Sequence, residues 1–417
     1  MPSAESAVVL DVRALAVYET PRAEAPPRTR LFAFAVGVIV LNLFASQPLV
    51  GVIGPSLRLD VRLTGLVTLA TLLGYAAGLV LLVPLSDLIE NKRLIVGMLI
   101  ACVVALCASA FAPSAPLFLV AAFAVGAATS SVQVVTPLAA ALAPEAQRGH
   151  VVGDVMGGMM VGILLSRPLA SLVADALGWR GAFLASAVLV GILLVVLCYR
   201  LPTRRTNNGI GYAALVRSMW RLVCDERVLR VRAASAAMVF AAFNVFWTTV
   251  ALLLARPPFN FGAQGIALFA FAGVGGALIA PFAGRWGDRG WTRPALVGLH
   301  ALALEAILLA AFSISIATAM PTLALAGLVV AALMLDVGVV GDQTLGRRAV
   351  NLIRPEARGR LNGLFTGLFF LGGAGASALT GFAWTWGGWN AICILAGLFT
   401  CAALAISLST RRDMSLG

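Results

Sequence analysis

Among the ionisable side chains inside long apolar stretches of this sequence, where a charge is costly enough to need a reason, five stand out. They are Arg167 in GILLSRPLASLVAD, His300 and Glu305 in LHALALEAILLA, and Asp336 and Asp342 in LMLDVGVVGDQTLGRR. A guanidinium at mid-helix costs at least about 2.5–3.5 kcal/mol on insertion scales, so Arg167 must face a watery cavity or a partner rather than lipid. It can hold an anionic or polar substrate, form a conformational pair, or cap carbonyls and organise the fold. A carboxylate in a half-dry cavity can take up and release a proton. Asp336 is the preferred proton carrier on this ground, with Glu305 and His300 as rivals. This is the chemistry of ion-coupled binding. An enzyme would need a clustered acid, base or metal set, and the only two histidines, His150 and His300, are far apart. The six cysteines form no C-x-x-C pair, so they read as reduced thiols with no metal, disulfide framework or cofactor.

The stretches holding these residues are membrane spans. With 60% apolar and only 12% charged residues, the chain has too little charge to solvate a water-facing surface. A spanning helix takes about 20 mostly apolar residues, and twelve such runs fit: 31–54, 64–86, 94–112, 116–142, 151–174, 181–199, 233–255, 264–283, 294–316, 322–345, 361–384 and 389–409. They are numbered spans 1 to 12 below. The net charge of +12 does not indicate nucleic acid, because the basic residues are dispersed over loops without aromatic interleaving. Of 30 Lys and Arg, 25 fall on the face that holds both termini; only Arg58, Arg62, Arg180 and Arg256 fall opposite, and Arg167 lies within a span. This asymmetry predicts cytoplasmic termini. Residues 1–30 mix four acidic residues with four arginines and end in APPRTR, which is a cytoplasmic tail rather than a cleavable leader; Val8 to Tyr18 suits a brief interfacial helix.

The chain repeats itself. PEAQRG at 144–149 returns as PEARG at 355–359, Gly178-Trp179 returns as Gly388-Trp389, and the charged turn VPLSDLIENKR, Val83 to Arg93, is echoed by GRWGDRGWTR, Gly284 to Arg293. The organisation that follows is an N-terminal tail 1–30, a six-helix half 31–199, a cytoplasmic linker 200–232, a second six-helix half 233–409 and a C-terminal tail 410–417. The linker carries eight arginines and an amphipathic piece, Ala213 to Val223, suited to lie on anionic headgroups.

Two six-span halves with a charged turn after the second span of each resemble the major facilitator superfamily. NLFASQPL (Asn42 to Leu49), GILLSRPLASLVAD (Gly162 to Asp175), FNVFWTTVALLLARPPF (Phe243 to Phe259) and LMLDVGVVGDQTLGRR (Leu333 to Arg348) resemble spans 1, 5, 7 and 10 of bacterial drug-antiporter-like inner-membrane exporters. The resemblance implies an all-α membrane fold of two pseudo-symmetric six-helix bundles. It also implies alternating access and a substrate cavity lined by spans 1, 4, 7 and 10. The residues offered there are Asn42, Ser46, Gln47, Gln133, Thr136, Asn244, Trp247, Thr248, Asp336 and Gln343, together with Arg167 and the aromatic residues Phe243, Phe246, Phe369 and Phe370.

In the family the turn after span 2 resembles G-x-L-x-D-R-x-G-R-R. Leu85, Asp87 and Lys92 match it, while the second copy keeps Gly284, Asp288, Arg289 and Arg293. By this resemblance Asp87 latches onto the start of span 11, and Asp288 onto the start of span 5. Spans 2, 5, 8 and 11 would meet between the halves, on the small pairs Gly74/Gly78, Gly158/Gly162, Gly273/Ala277 and Gly363/Gly367. Ala122 stands where the family has a buried Arg in span 4, so the proton relay of that Arg is absent or moved. On the spacing, Asp336 lies about 14 Å and Arg167 about 24 Å from the cytoplasmic ends of their helices, which argues against a direct pair. The function expected is proton-coupled export of a small organic molecule by a monomer in the bacterial inner membrane. The alternatives are uptake, by symport or uniport, of an organic anion held by Arg167, and a non-transporting membrane sensor.

Overall fold

The computed structural model describes residues 27–203, 211–354 and 357–409. The sequence readings on the N-terminal tail, on Pro355 and Glu356 and on the C-terminal tail lie outside these residues. Among the described residues, ten helices are long and apolar enough to cross a membrane. Two of them, Arg148–Arg200 and Arg358–Ser409, run 53 and 52 residues, or about 80 Å at 1.5 Å per residue. That is more than twice the hydrocarbon thickness of a bilayer. Each is broken once. Gly178 has φ +72° and Gly388 has φ +57°, a left-handed backbone that glycine adopts without a Cβ clash. The repeated Gly-Trp landmark is therefore the same corner in both halves, turning span 5 into 6 and span 11 into 12. Twelve spans result.

The span boundaries shift in one instructive way. The seventh span begins at Arg227 and the tenth runs to Asn351, longer than the apolar runs by six residues each. Arg232 and Arg347, which hydropathy assigns to loops, are thus inside helices. Arg232 is 2% exposed and Arg347 faces a cavity. Below, the terminal side is the end of the bundle where Pro27 begins and where Asp87, Asp288 and Arg360 lie.

The small-residue pairs sort differently from the expectation. A Cβ on Gly74 would stand 1.9 Å from the Phe123 carbonyl oxygen, and one on Gly162 would stand 2.3 Å from that of Gly37. These glycines bring span 2 against span 4 and span 5 against span 1, within the first half. Gly273 meets Asp336, within the second half. Of the four pairs only Gly363/Gly367 faces the other half, across Leu79 and Ala76. The close contact between halves is made by glycines the pattern did not single out. A Cβ on Gly65 would lie 1.8 Å from the Ser377 carbonyl oxygen, and one on Gly381 would lie 2.3 Å from that of Arg62. Both are at the end opposite the termini. On the terminal side the same two helices pack less tightly: a Cβ on Gly363 would have nothing nearer than Leu79 O at 3.8 Å, an ordinary contact. Spans 2 and 11 therefore touch at one end and diverge toward the other.

Candidate functional site

Where the helices diverge, a vestibule of about 510 Å³ opens among the terminal-side ends of spans 2, 4, 5, 10 and 11, lined by Asp87, Thr136, Met156 and Arg360 among others. It narrows at Gln133, Arg347 and Thr366, which also border a central cavity of about 90 Å³. That smaller space is walled by both halves.

Arg167 reaches this cavity from span 5 and is 4% exposed. Its guanidinium carbon lies 4.5 Å from the ring centroid of Trp247, 4.9 Å from that of Phe44 and 5.2 Å from that of Phe243. Cation–π attraction of this kind offsets part of the desolvation of a buried cation. Arg167 Nε donates to Gln47 Oε1 at 2.9 Å, Gln47 Nε2 donates to Asn244 Oδ1 at 2.9 Å, and Asn244 Nδ2 donates to the Phe240 carbonyl at 2.9 Å. The chain passes from span 5 to span 1 to span 7 and so crosses between the halves. Arg167 Nη2 is buried and has no partner.

Asp336 borders the same cavity from span 10. Its Oδ1 accepts the Trp247 indole N–H at 3.1 Å. Arg167 and Asp336 form no direct ion pair, as the spacing argued; Trp247 lies between them, its face to the cation and its N–H to the anion. On span 10, Asp336, Val340, Gln343 and Arg347 follow one another at i, i+4, i+7 and i+11, and all four face the cavity. An aromatic wall completes it: Phe240 stacks on Phe369 at 3.9 Å, and Tyr75 meets Phe370 edge-on at 4.5 Å.

The expected residues fall into three groups. Gln133, Arg167, Asp336 and Gln343 border the cavity, as do Phe243, Phe369 and Phe370, while Thr136 borders the vestibule. Gln47, Asn244 and Trp247 stand behind it and hold Arg167 and Asp336. The remainder turn away. Asn42 bonds its own helix at the Val38 and Ile39 carbonyls and borders a separate apolar pocket among spans 1, 3, 5 and 6. Thr248 and Phe246 are buried in the second half without bordering the cavity. Glu305 is on the exposed face of span 9, about 140° around the helix from the buried His300. A carboxylate there has no route to the cavity.

His300 is itself fully buried, in a second polar cluster. Its Nε2 lies 3.0 Å from Asp342 Oδ1 and its Nδ1 lies 3.0 Å from Ser407 Oγ, with Ser235 at 3.5 Å. Arg232 is buried on the same side. The cluster ties spans 7, 9, 10 and 12 together away from the cavity. Sequence reading missed Tyr75, Phe44, Phe240 and Thr366. Tyr75 had a usable signal, since it is one of four tyrosines and sits alone mid-way along an apolar run.

The latch residues are disengaged. Asp288 pairs with Arg348 of span 10 at 3.2 Å, not with span 5. Arg293 donates to the Leu408 carbonyl at the end of span 12, and Arg289 lies against Trp291. Asp87 borders the open vestibule. The arrangement is that of a carrier closed at one end and open at the other.

Residues 32–341 match the sequence model of the Major Facilitator Superfamily. The chain belongs to that family. This superfamily member is 34% identical over 365 residues to the "Putative uncharacterized transporter YgaY" of Escherichia coli, covering 87% of this chain and 90% of that one. It is 26% identical over 186 residues to the "Probable sugar efflux transporter" of Mannheimia succiniciproducens, covering 44% and 46%. Among solved structures it shares the fold of the nucleoside transporter NupG, with TM-score 0.70 at 12% identity over 93% of this chain and 100% of that one. It is a membrane transporter of the secondary kind, not an enzyme.

Proposed function

We propose that this transporter exports a small organic molecule in exchange for protons, by alternating access at the central cavity, with both termini in the cytoplasm of a bacterial cell and the protein working as a monomer. The observation that carries the reading is the junction of Arg167, Trp247 and Asp336. Span 5 of the first half and spans 7 and 10 of the second meet there, so a change of charge at Asp336 acts on the contact that must reorganise when the halves rock. Substrate and proton then compete: a proton on Asp336 weakens its bond from Trp247, and a substrate donor takes the same oxygen when the proton leaves. The export direction is supported by the sequence strings of spans 1, 5, 7 and 10 and by the sugar-efflux name of one relative. In proteoliposomes under an imposed pH gradient, substrate movement drives counter-movement of protons, and Asp336→Asn abolishes the proton flux while leaving exchange of substrate. Coupled proton flux persisting in that variant overturns the assignment.

One observation favours a second reading. The aromatic rings cover the faces of the Arg167 guanidinium and leave the edge at Nη2 without an acceptor, which suits a carboxylate. With Arg167 and Arg347 both at the cavity and Asp336 the opposing charge, an organic anion binds better once Asp336 is protonated. Anion and proton then travel together, so the sign of substrate-driven proton flux separates uptake symport from export antiport.

A further inference from the structure

The linker between the halves contains a helix, Tyr212–Asp225. Leu215, Met219 and Leu222 are buried at i, i+4 and i+7, and Arg217, Trp220, Arg221 and Cys224 form the opposite, exposed face, with Trp220 68% exposed. Basic residues flanking an aromatic on one face and aliphatics on the other are the pattern of a helix lying in a membrane interface.

Its inner face is seated on both halves at once. Tyr212 Oη donates to the Leu81 carbonyl at the end of span 2 at 2.9 Å, and the helix packs on the Val83–Asp87 turn. Arg360, at the start of span 11, donates to Ser218 Oγ at 2.8 Å. Its C-terminal end is fixed by Arg230, which donates to the Val223 and Cys224 carbonyls, and by the ion pair of Glu226 with Arg354 at 2.6 Å. Met219 enters the wall of the vestibule beside Asp87, Gly363 and Arg360. The helix therefore stands between the Leu81–Asp87 segment of one half and Arg360 of the other, which must approach when the terminal side shuts. It is a wedge, and closing the terminal side requires it to leave its seat.

We propose that anionic lipid headgroups bind the outer face of this helix through Arg217 and Arg221, with Trp220 inserted beside them, and thereby hold the transporter open on the terminal side. Only a ligand that distinguishes the two states shifts their balance; here the seated helix presents its basic face to the headgroup layer and the displaced helix does not. A basic residue at an anionic surface changes an equilibrium about fivefold at most, so the two arginines together shift the ratio of states by up to about 25-fold. The inference does not depend on which substrate or ion is carried.

The test uses the full chain in nanodiscs of phosphatidylcholine, with or without phosphatidylglycerol. Spin labels are placed by Ile89→Cys and Gly359→Cys, in a background where Cys224 and Cys401 are replaced by Ser. Phosphatidylglycerol increases the long-distance population, and the double variant Arg217→Gln/Arg221→Gln loses that response at unchanged melting temperature. Tyr212→Phe with Ser218→Ala moves the population to short distances in both lipids. A distance distribution that is the same in both lipids, that shortens with phosphatidylglycerol, or that still responds fully in the arginine double variant overturns the proposal.

Discussion

Gly65 is the most informative single position for alternating access. It stands at the start of span 2, where a Cβ would lie 1.8 Å from the Ser377 carbonyl oxygen and 2.5 Å from Thr380 Oγ1. Ordinary contacts at such an atom begin near 3.4 Å, so Gly65→Ala forces span 11 back by about 1.6 Å, the difference between 3.4 and 1.8 Å. The obstacle is backbone and cannot swing aside as a long side chain would. Overpacking of this kind costs about 1–3 kcal/mol. All of it falls on the state closed at this end, since the opposite state separates the two helices. At 1.36 kcal/mol per tenfold, the ratio of states moves by about 5- to 160-fold toward opening at the Ser377 end. Thiol-reagent access to a cysteine replacing Arg62, measured against one replacing Thr136 in the vestibule, reads the shift. Access rises at 62 and falls at 136. Gly363→Ala is the control, because its nearest neighbour is 3.8 Å away and a methyl fits there in this state. If Gly65→Ala leaves both rates unchanged, or if Gly363→Ala moves them equally, the assignment of the closed and open ends is wrong.

Other expectations follow from the same geometry. Gln47→Ala leaves Arg167 Nε buried without its acceptor and costs about 1–3 kcal/mol of stability, seen as a lower melting temperature in detergent. Trp247→Phe keeps an aromatic face toward Arg167 but removes the N–H bond to Asp336, so substrate-driven proton flux falls more than substrate binding does; equal loss of both refutes the separate roles. His300→Ala breaks the cluster that joins spans 7, 9, 10 and 12 and costs about 1–3 kcal/mol, as leaving a buried polar group without its partner does, with no change in substrate affinity measured by binding. Arg348→Ala costs under about 1 kcal/mol, because its bond to the 74% exposed Asp288 is an exposed pair.

The features legible in the sequence are those set by transfer of residues between water and lipid and by local backbone preference. Apolar run lengths marked the twelve spans, the scarcity of buried charge singled out Arg167 and Asp336, and the repeated Gly-Trp marked two corners whose glycines have positive φ. The 3.6-residue period placed Asp336, Val340, Gln343 and Arg347 on one face, and that face does border the cavity. Contacts between segments distant in the chain were not legible. Nothing local says whether Asn42 or Gln47, five residues apart, turns to Arg167, because the break in the helix after Phe44 decides it. Nor does a glycine pair disclose which neighbour it admits, so Gly74 and Gly162 looked like partners of the other half and pack within their own. Hydropathy placed Arg232 and Arg347 in loops because it counts charge, whereas the folded bundle supplies Asp342 near one and a cavity for the other. The sequence by itself determined that charges would stand inside a membrane bundle. Only packing between the halves decided that an indole would join two of them, because the cost of a buried charge is local and the choice of its partner is not.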